Sequence, residues 1–490
     1  MIREIPTINK KDRKTDKYID IPKCDIESLS LDKSIDKSMI RDIRTSIPHV
    51  AEPDVVRHYT NLSSKNHHVD QDFYPLGSCT MKYNPKINDK IASNPNFTDM
   101  HPDQCEADIQ GTLNLMYKLE KMLNSITGMN RTTLQPTAGS QGEFVGLLIM
   151  KKYHKLKKND KKVVLIPESA HGTNPASVIL SGYEVVQVKT NEEGCTDLED
   201  LRSKVNEDVA GMMLTQPNTL GIFEKDILEI SKLIHDVDGL MYMDGANLNA
   251  LLSISRPADM GFDITHMNLH KTFSTPHGGG GPGAGPIGVV EKLVDFLPSP
   301  MIDKDENNKY FLNKNDSTSI GSIHSNFGNV GVLVRAYCYI KSLGDEGLRD
   351  VSRNAIINAN YLKKRLSDYY DVPFFKNTMH EFVISAVNQK NKGLKALDIA
   401  KLILDKGYHA PTIYFPTNIP EAMMMEPTET ESKDTLDSFA DYLIYISENI
   451  DNKLTKFLES PSNTPVKRLN ETKANRELNL NWQDELSDNK

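Results

Sequence analysis

From about residue 110, short continuously apolar runs alternate with stretches whose apolar residues recur every three or four positions. No other feature of the chain constrains its fold as much. Val163-Val-Leu-Ile166 and Leu240-Met-Tyr-Met243 are unbroken apolar runs, the pattern of strands buried on both faces. Glu184–Val188 and Val209–Leu214 read as two further strands. Between them lie helical stripes: Thr112–Leu123 with Leu113, Met116, Leu119 and Leu123 on one side, Gln141–Lys157, a helix near Pro175–Leu180, Asp197–Val205 behind an acidic cap, and Asp226–His235 stopped by Gly239. This spacing predicts βαβ units and a mainly parallel sheet. In such sheets ligands bind beyond the carboxyl ends of the strands.

The rest of the 490 residues divides around that block. Residues 1–90 read as an N-terminal arm with one short helix, followed by a wrapping loop dense in turn signals from Asp54 to Lys90, as in Tyr74-Pro-Leu-Gly-Ser-Cys-Thr-Met-Lys82-Tyr-Asn-Pro85. Residues 91–340 form the large α/β domain. Residues 341–458 read as a smaller α+β domain, entered through long helices at Gly331–Leu343 and Val351–Leu366. It continues with strand Phe382–Val387, helix Leu397–Leu404, strand Thr412–Phe415 and helix Asp434–Ile450, where Leu436, Phe439, Ala440 and Leu443 keep one face apolar. Residues 459–490 are a polar tail in which Trp482, the only tryptophan, is the residue suited to anchor it.

Several classes are excluded at this level. A net charge of −9 argues against a nucleic-acid or polybasic membrane footprint. No apolar run is long enough to span a bilayer, and the first residues lack the apolar core of a secretory signal. The five cysteines form no CxxC, so neither a thiolate zinc site nor a disulfide framework is expected, and a reducing, cytoplasmic setting is. Asn61-Leu-Ser63 is then a chance match to a glycosylation signal.

The chemistry-bearing residues fall just after the expected strands. Lys271, at the end of a mostly apolar segment, would be partly desolvated there, which favours the neutral, nucleophilic amine; the ordinary alternative is a snorkelling lysine. Asp244 follows Leu240–Met243 and could hold a protonated pyridine nitrogen; the alternative is an Asp-Gly turn. Gly139-Ser140-Gln141 opens a helix, where backbone N–H groups suit a phosphate; the alternative is simple N-capping by Ser140. His171 could stack on an aromatic ring or merely cap a turn. Taken together in this order, an anion site, a ring platform, an acid and an imine-forming amine meet each need of pyridoxal 5'-phosphate. Asp244 and Lys271 are 27 residues apart, enough for one intervening element between neighbouring strand ends.

Competing motifs fail. Gly283-Ala-Gly-Pro-Ile-Gly288 matches GxGxxG but leads into a strand rather than a helix. Gly278–Gly281 lacks the Lys-Ser/Thr of a P-loop. His266 and His270, four apart on an expected strand, would not converge on a metal, and no metal site is expected.

At these residues the sequence resembles the pyridoxal-phosphate-carrying P-proteins of the glycine cleavage system, from about Asp54 to Leu458. The most specific stretches are Phe73–Lys86, Ser169-Ala-His-Gly-Thr-Asn-Pro-Ala-Ser177, Tyr242-Met-Asp-Gly-Ala-Asn-Leu-Asn249, His270-Lys-Thr-Phe273 and Pro276-His-Gly-Gly-Gly-Gly-Pro282. The resemblance implies a fold type I, aminotransferase-like architecture. It implies Lys271 as the imine-forming lysine, Asp244 as the pyridinium partner and His171 as the stacking ring, with Gly139, Ser140, Gln141, Thr173 and Ala246 around the cofactor. Because the chain resembles the second half of longer single-chain relatives, it implies a partner subunit resembling the first half, two copies of each, and a lipoylated H-protein. The implied reaction decarboxylates glycine and passes the aminomethyl group to the lipoyl disulfide. Lys82 and His270 are expected to meet the glycine carboxylate or shuttle protons, and Tyr83, Cys79 and His277 to line a channel formed by the 74–83 and 277–283 loops. Rival readings are another fold type I enzyme, an aminotransferase or lyase, and a non-catalytic subunit of the same fold.

Overall fold

A computed structural model describes residues 25, 35–40, 51–277, 283–314, 317–324 and 327–478. Contacts divide the chain into two compact units, one of Val69–Ser460 and one of Met1–His68 with Pro461–Lys490. Most of the expected arm, Gly278–Pro282 of the glycine-rich loop, and Trp482 lie outside the described residues.

The larger unit is built on a seven-stranded sheet. Its strands are β1 (Arg131–Thr133), β2 (Val163–Pro167), β3 (Glu184–Val188), β4 (Val209–Thr215), β5 (Leu240–Gly245), β6 (Ile264–Met267) and β7 (Ile287–Val289). Their spatial order is β1-β7-β6-β5-β4-β2-β3. β6, β5, β4, β2 and β3 are parallel, and β7 lies antiparallel between β1 and β6. The strand order reverses at β2 and β4, which opens a crevice beyond their carboxyl ends.

Alternation along the strands supplies two cores. Met212, Leu214, Met241 and Met243 face helices Gln110–Thr127, Ile227–Asp236 and Val330–Leu366. Ala210, Met213, Leu240 and Tyr242 face helix Gly139–Leu156. Burial on both faces is why these strands read as continuous apolar runs.

A two-stranded ribbon, β8 (Met301–Lys304) with β9 (Tyr310–Asn313), follows the large sheet. Further on, β10 (Phe382–Ser385), β11 (Thr412–Ile413) and β12 (Ala422–Met425) form an antiparallel sheet of order β10-β12-β11, covered by helices Ala396–Lys406 and Lys433–Leu458.

The two helices expected on either side of residue 344 are found within Val330–Leu366, where they meet at Gly344, whose φ of 63° and ψ of −171° are not helical. Three expectations are corrected. The region Asp54–Lys90 is not continuous loop, because helix Glu52–Ser63 and the start of helix Lys86–Ala92 fall within it. Strand β10 ends at Ser385, and Val387 starts a short helix. Lys271 does not end a strand: the chain leaves the sheet after Met267, and Leu269–Thr272 form one helical turn that carries His270 and Lys271.

Candidate active site

Beyond the carboxyl ends of the parallel strands lies a cavity of about 220 Å³. Eight of the residues singled out from sequence line it: Lys271, Asp244, His171, His270, Gly139, Ser140, Thr173 and Ala246. Four of the seven strands lead to these groups. His171 follows β2, Asp244 ends β5, Lys271 sits on the turn after β6, and Gly139 and Ser140 open the long helix after β1.

Helix Gly139–Leu156 starts at Ala138 with no side-chain cap, so its first N–H groups face the cavity with the positive end of the helix dipole. A Cβ at Gly139 would lie 2.6 Å from Asn268 Nδ2, so a side chain there would displace that amide from the cavity wall. Gln141 is turned away: its Oε1 accepts from the Thr137 N–H at 2.6 Å and from the Thr137 hydroxyl at 3.0 Å.

Asp244 is 2% exposed. Burial opposes its charge, but His266, the Asn174 amide at 2.9 Å, the Ala246 N–H at 2.9 Å and the nearby Lys271 together hold its carboxyl below the ordinary range. It is therefore an anion. His171 Nδ1 lies 2.9 Å from the Thr173 hydroxyl, which donates at 2.8 Å to Glu143. Burial and Lys271 push the His171 imidazole below its usual value, despite the opposing Asp244 and Glu143, so it is neutral at neutral pH.

Lys271 Nζ donates to the Ser78 carbonyl at 2.6 Å. The loop that offers this carbonyl is anchored far away in sequence. Gly77 bonds the β12 backbone, where a Cβ would meet Met424 Cγ at 2.3 Å. Ser78 and Thr80 hold left-handed φ of 66° and 43°, a strained conformation for side-chain-bearing residues. The Ser78 N–H donates to Glu381 at 2.8 Å and the Thr80 N–H to Glu426 at 2.9 Å. Burial raises both carboxyls, Glu381 well above its ordinary value and Glu426 to about 7.

Of the expected channel residues, Cys79 and His277 lie beside Lys271 and His270, whereas Lys82 and Tyr83 make contacts elsewhere. Lys82 is 3% exposed and does not line the cavity; it bonds Glu429 at 2.8 Å, Asn249 Oδ1 at 2.8 Å and the Tyr339 hydroxyl at 3.1 Å. Tyr83 is exposed, and its carbonyl accepts from the Ser274 hydroxyl. Cys79 is half-buried with its thiol pushed up by burial. His277 packs edge-on against His270 at 5.0 Å and bonds the Cys79 backbone. Burial lowers His270 to about 3 and His277 to about 4.

Sequence reasoning missed Glu143, Thr215, Thr219 and Asn268 and weighed His266 only as a metal ligand; all five line the cavity. Thr215 and His266 are the register partners of Asp244 on β4 and β6, so alternation along paired strands is the signal that points to them. Pyridoxal 5'-phosphate fits the donor set: an uncapped helix start for an anion, a carboxylate for a ring cation, and an amine 2.6 Å from its only hydrogen-bond partner among the described residues. The Thr215 hydroxyl and Asn268 Oδ1, buried and unpaired among those residues, offer polar atoms a ligand would satisfy.

Comparisons with known proteins agree in kind. A family model described as aminotransferase class-V matches residues 142–409, and one described as glycine dehydrogenase, C-terminal domain, matches 351–468. The chain is 52% identical over 97% of both chains to a glycine dehydrogenase (decarboxylating) subunit 2 from Chloroherpeton thalassium. It is 54% identical to the Chlorobaculum tepidum protein of that name, covering 93% of this chain and 95% of the other. It is 51% identical to the Staphylococcus epidermidis protein, covering 99% and 96%. A crystal structure of glycine decarboxylase (P-protein) of the glycine cleavage system, in inhibitor-bound form, has a TM-score of 0.71 at 19% identity, covering 85% of this chain and 94% of that one. A cysteine desulfurase from Thermococcus onnurineus shares the fold at a TM-score of 0.60 and 14% identity, covering 78% and 96%.

Proposed function

Since the chain belongs to the family of glycine dehydrogenase (decarboxylating) subunit 2, we propose that it is the subunit of that enzyme that holds pyridoxal 5'-phosphate, decarboxylates glycine and passes the aminomethyl group to the lipoyl arm of H-protein. The supporting observation is one cavity that collects an uncapped helix start, a buried carboxylate, a neutral imidazole and a half-buried lysine. Gly139 and Ser140 would hold the phosphate, Asp244 the ring nitrogen, His171 the ring face, and Lys271 the aldehyde carbon. Bound there, the cofactor supplies an electron sink for the charge left when CO2 departs.

The chain's own groups do the rest. The Ser78 carbonyl orients the Lys271 amine, and the buried acids Glu381 and Glu426 hold the loop that carries Ser78. Neutral His270, beside Lys271, offers no cation to a carboxylate, and with its imidazole lowered to about 3 it is a weak proton acceptor at neutral pH. The family's naming supports a subunit 1 partner; two copies of each subunit and a cytoplasmic setting are part of the same proposal. Among the described residues, no helix is long and apolar enough to cross a membrane.

The test is co-purification with subunit 1, followed by exchange of carboxyl-labelled glycine with bicarbonate, with and without H-protein. Label exchange that H-protein stimulates is expected. A protein that transaminates glycine and leaves the carboxyl label in place would instead be an aminotransferase of the same fold.

A further inference from the structure

Behind Asp244 lies a buried pair, Tyr242 and His266, whose hydrogen arrangement no step above assigns. β5 and β6 run in register with Tyr242 beside Ile264 and Asp244 beside His266. Alternation therefore puts Tyr242, Asp244 and His266 on one face, under helix Gly139–Leu156. His266 Nε2 lies 3.2 Å from Asp244 Oδ1, and its Nδ1 lies 2.9 Å from the Tyr242 hydroxyl. Tyr242 is 0% exposed and His266 1%.

The hydrogen positions follow by elimination. The Tyr242 hydroxyl is sealed from water, and among the described residues His266 Nδ1 is its only hydrogen-bond partner. A buried hydroxyl donates where an acceptor exists, so Tyr242 O–H points at Nδ1. The imidazole hydrogen then sits on Nε2 and faces the Asp244 carboxylate. Glu143, the other acid beside this group, is taken up by the Thr173 and Ser177 hydroxyls, each at 2.8 Å. Lys271, His171 and His270 are the remaining titratable groups nearby. Burial pushes the Tyr242 phenol well above its ordinary value, so it keeps its proton. Gly146 lets the helix settle on the phenol ring, since a Cβ there would lie 2.2 Å from Tyr242 Cε2.

We infer that Tyr242 and His266 are positioning residues that keep a neutral imidazole behind Asp244, so that its carboxylate reserves its full charge for the cofactor's ring nitrogen. An imidazolium at 266 would pair with Asp244 and compete with that nitrogen. The inference rests on the reading of Asp244 given under Proposed function.

The experiment uses the holoenzyme with its partner subunit, loaded with cofactor 15N-labelled at the ring nitrogen, and follows that nitrogen by NMR against pH. Tyr242→Phe frees Nδ1 to take a proton. It is expected to lower the pH at which the ring nitrogen deprotonates by about one unit, a tenfold change. His266→Gln still donates to Asp244 but cannot titrate, so adding Tyr242→Phe to it is expected to change nothing further. An unshifted ring nitrogen in folded Tyr242→Phe, or a second full shift in the double variant, overturns the inference. Should Tyr242→Phe not fold, the 15N shifts of His266 in the wild-type chain decide: hydrogen on Nε2 alone supports it, and hydrogen on Nδ1 or on both nitrogens overturns it. Asp244→Asn separates the two readings. A ring nitrogen that titrates as in wild type there removes Asp244 as its partner, while the His266 tautomer still judges the relay.

Discussion

Replacing Lys82 by Met separates two roles for this residue, a ligand for substrate and an internal tie. Lys82 is buried together with Glu429, with side-chain exposures of 1% and 9%, and its three acceptors come from widely separated parts of the chain. Burial opposes its charge, yet Glu429 and Tyr339 hold its pKa above the ordinary lysine value. Removing the cation leaves a buried carboxylate unpaired, a loss of about 3–5 kcal/mol. For a unit of roughly 400 residues, with an unfolding entropy of about 2 cal/mol/K per residue, about 4 kcal/mol lowers Tm by about 5 °C. Glu429→Gln alone costs less, because Gln still accepts from the ammonium. The double variant is expected to recover about 1–3 kcal/mol of the summed losses, the coupling of contacting residues. Thermal unfolding followed by near-UV circular dichroism on the four proteins measures this. The lysine's raised pKa sets the pH dependence of the tie: its contribution is complete below about pH 10 and fades as pH rises through the folded value. An unchanged Tm in Lys82→Met, with glycine KM raised and kcat kept, would refute the tie and make Lys82 a substrate ligand.

Glu426, raised to about 7 by burial, binds a proton in the folded chain that the unfolded chain, at 4.5, has released. Its contribution is complete below about pH 4.5 and lost as pH rises toward 7, so urea midpoints should fall over that range and Glu426→Gln should flatten the fall. His270 and His277, at about 3 and 4, should show no inflection in their ring 15N shifts between about pH 5.5 and 8. Gly146→Ala should cost about 1–3 kcal/mol by overpacking Tyr242, read as a lower Tm. Lys271→Ala should fold with an unchanged Tm but lose covalent trapping of the cofactor by borohydride; trapping that persists would move the imine to another lysine.

What could be read from sequence follows from how far away each residue's partner lies. The parallel strands were legible because burial on both faces writes unbroken apolar runs, and the groups at their ends were legible because topology assigns strand ends to ligands. Lys271 was placed one turn wrongly because no Gly or Pro marks the point where the chain leaves the sheet at Asn268. β1, β7 and β12, at three or four residues, are too short to show a period. Glu381 and Glu426 flank apolar strands and would be solvated on local grounds; they are buried because a loop some 300 residues earlier lays its N–H groups on them. The Asp244–His266 contact is the intermediate case. Both residues were noticed, but His266 was weighed only against His270, its neighbour in sequence. Once β5 and β6 pair in parallel, strand parity alone puts residues 242, 244, 264 and 266 on one face, and a phenol, a carboxylate and an imidazole on one buried face must satisfy one another. Register, rather than motif, is therefore the missing quantity that separates recognising an active-site acid from knowing its charge.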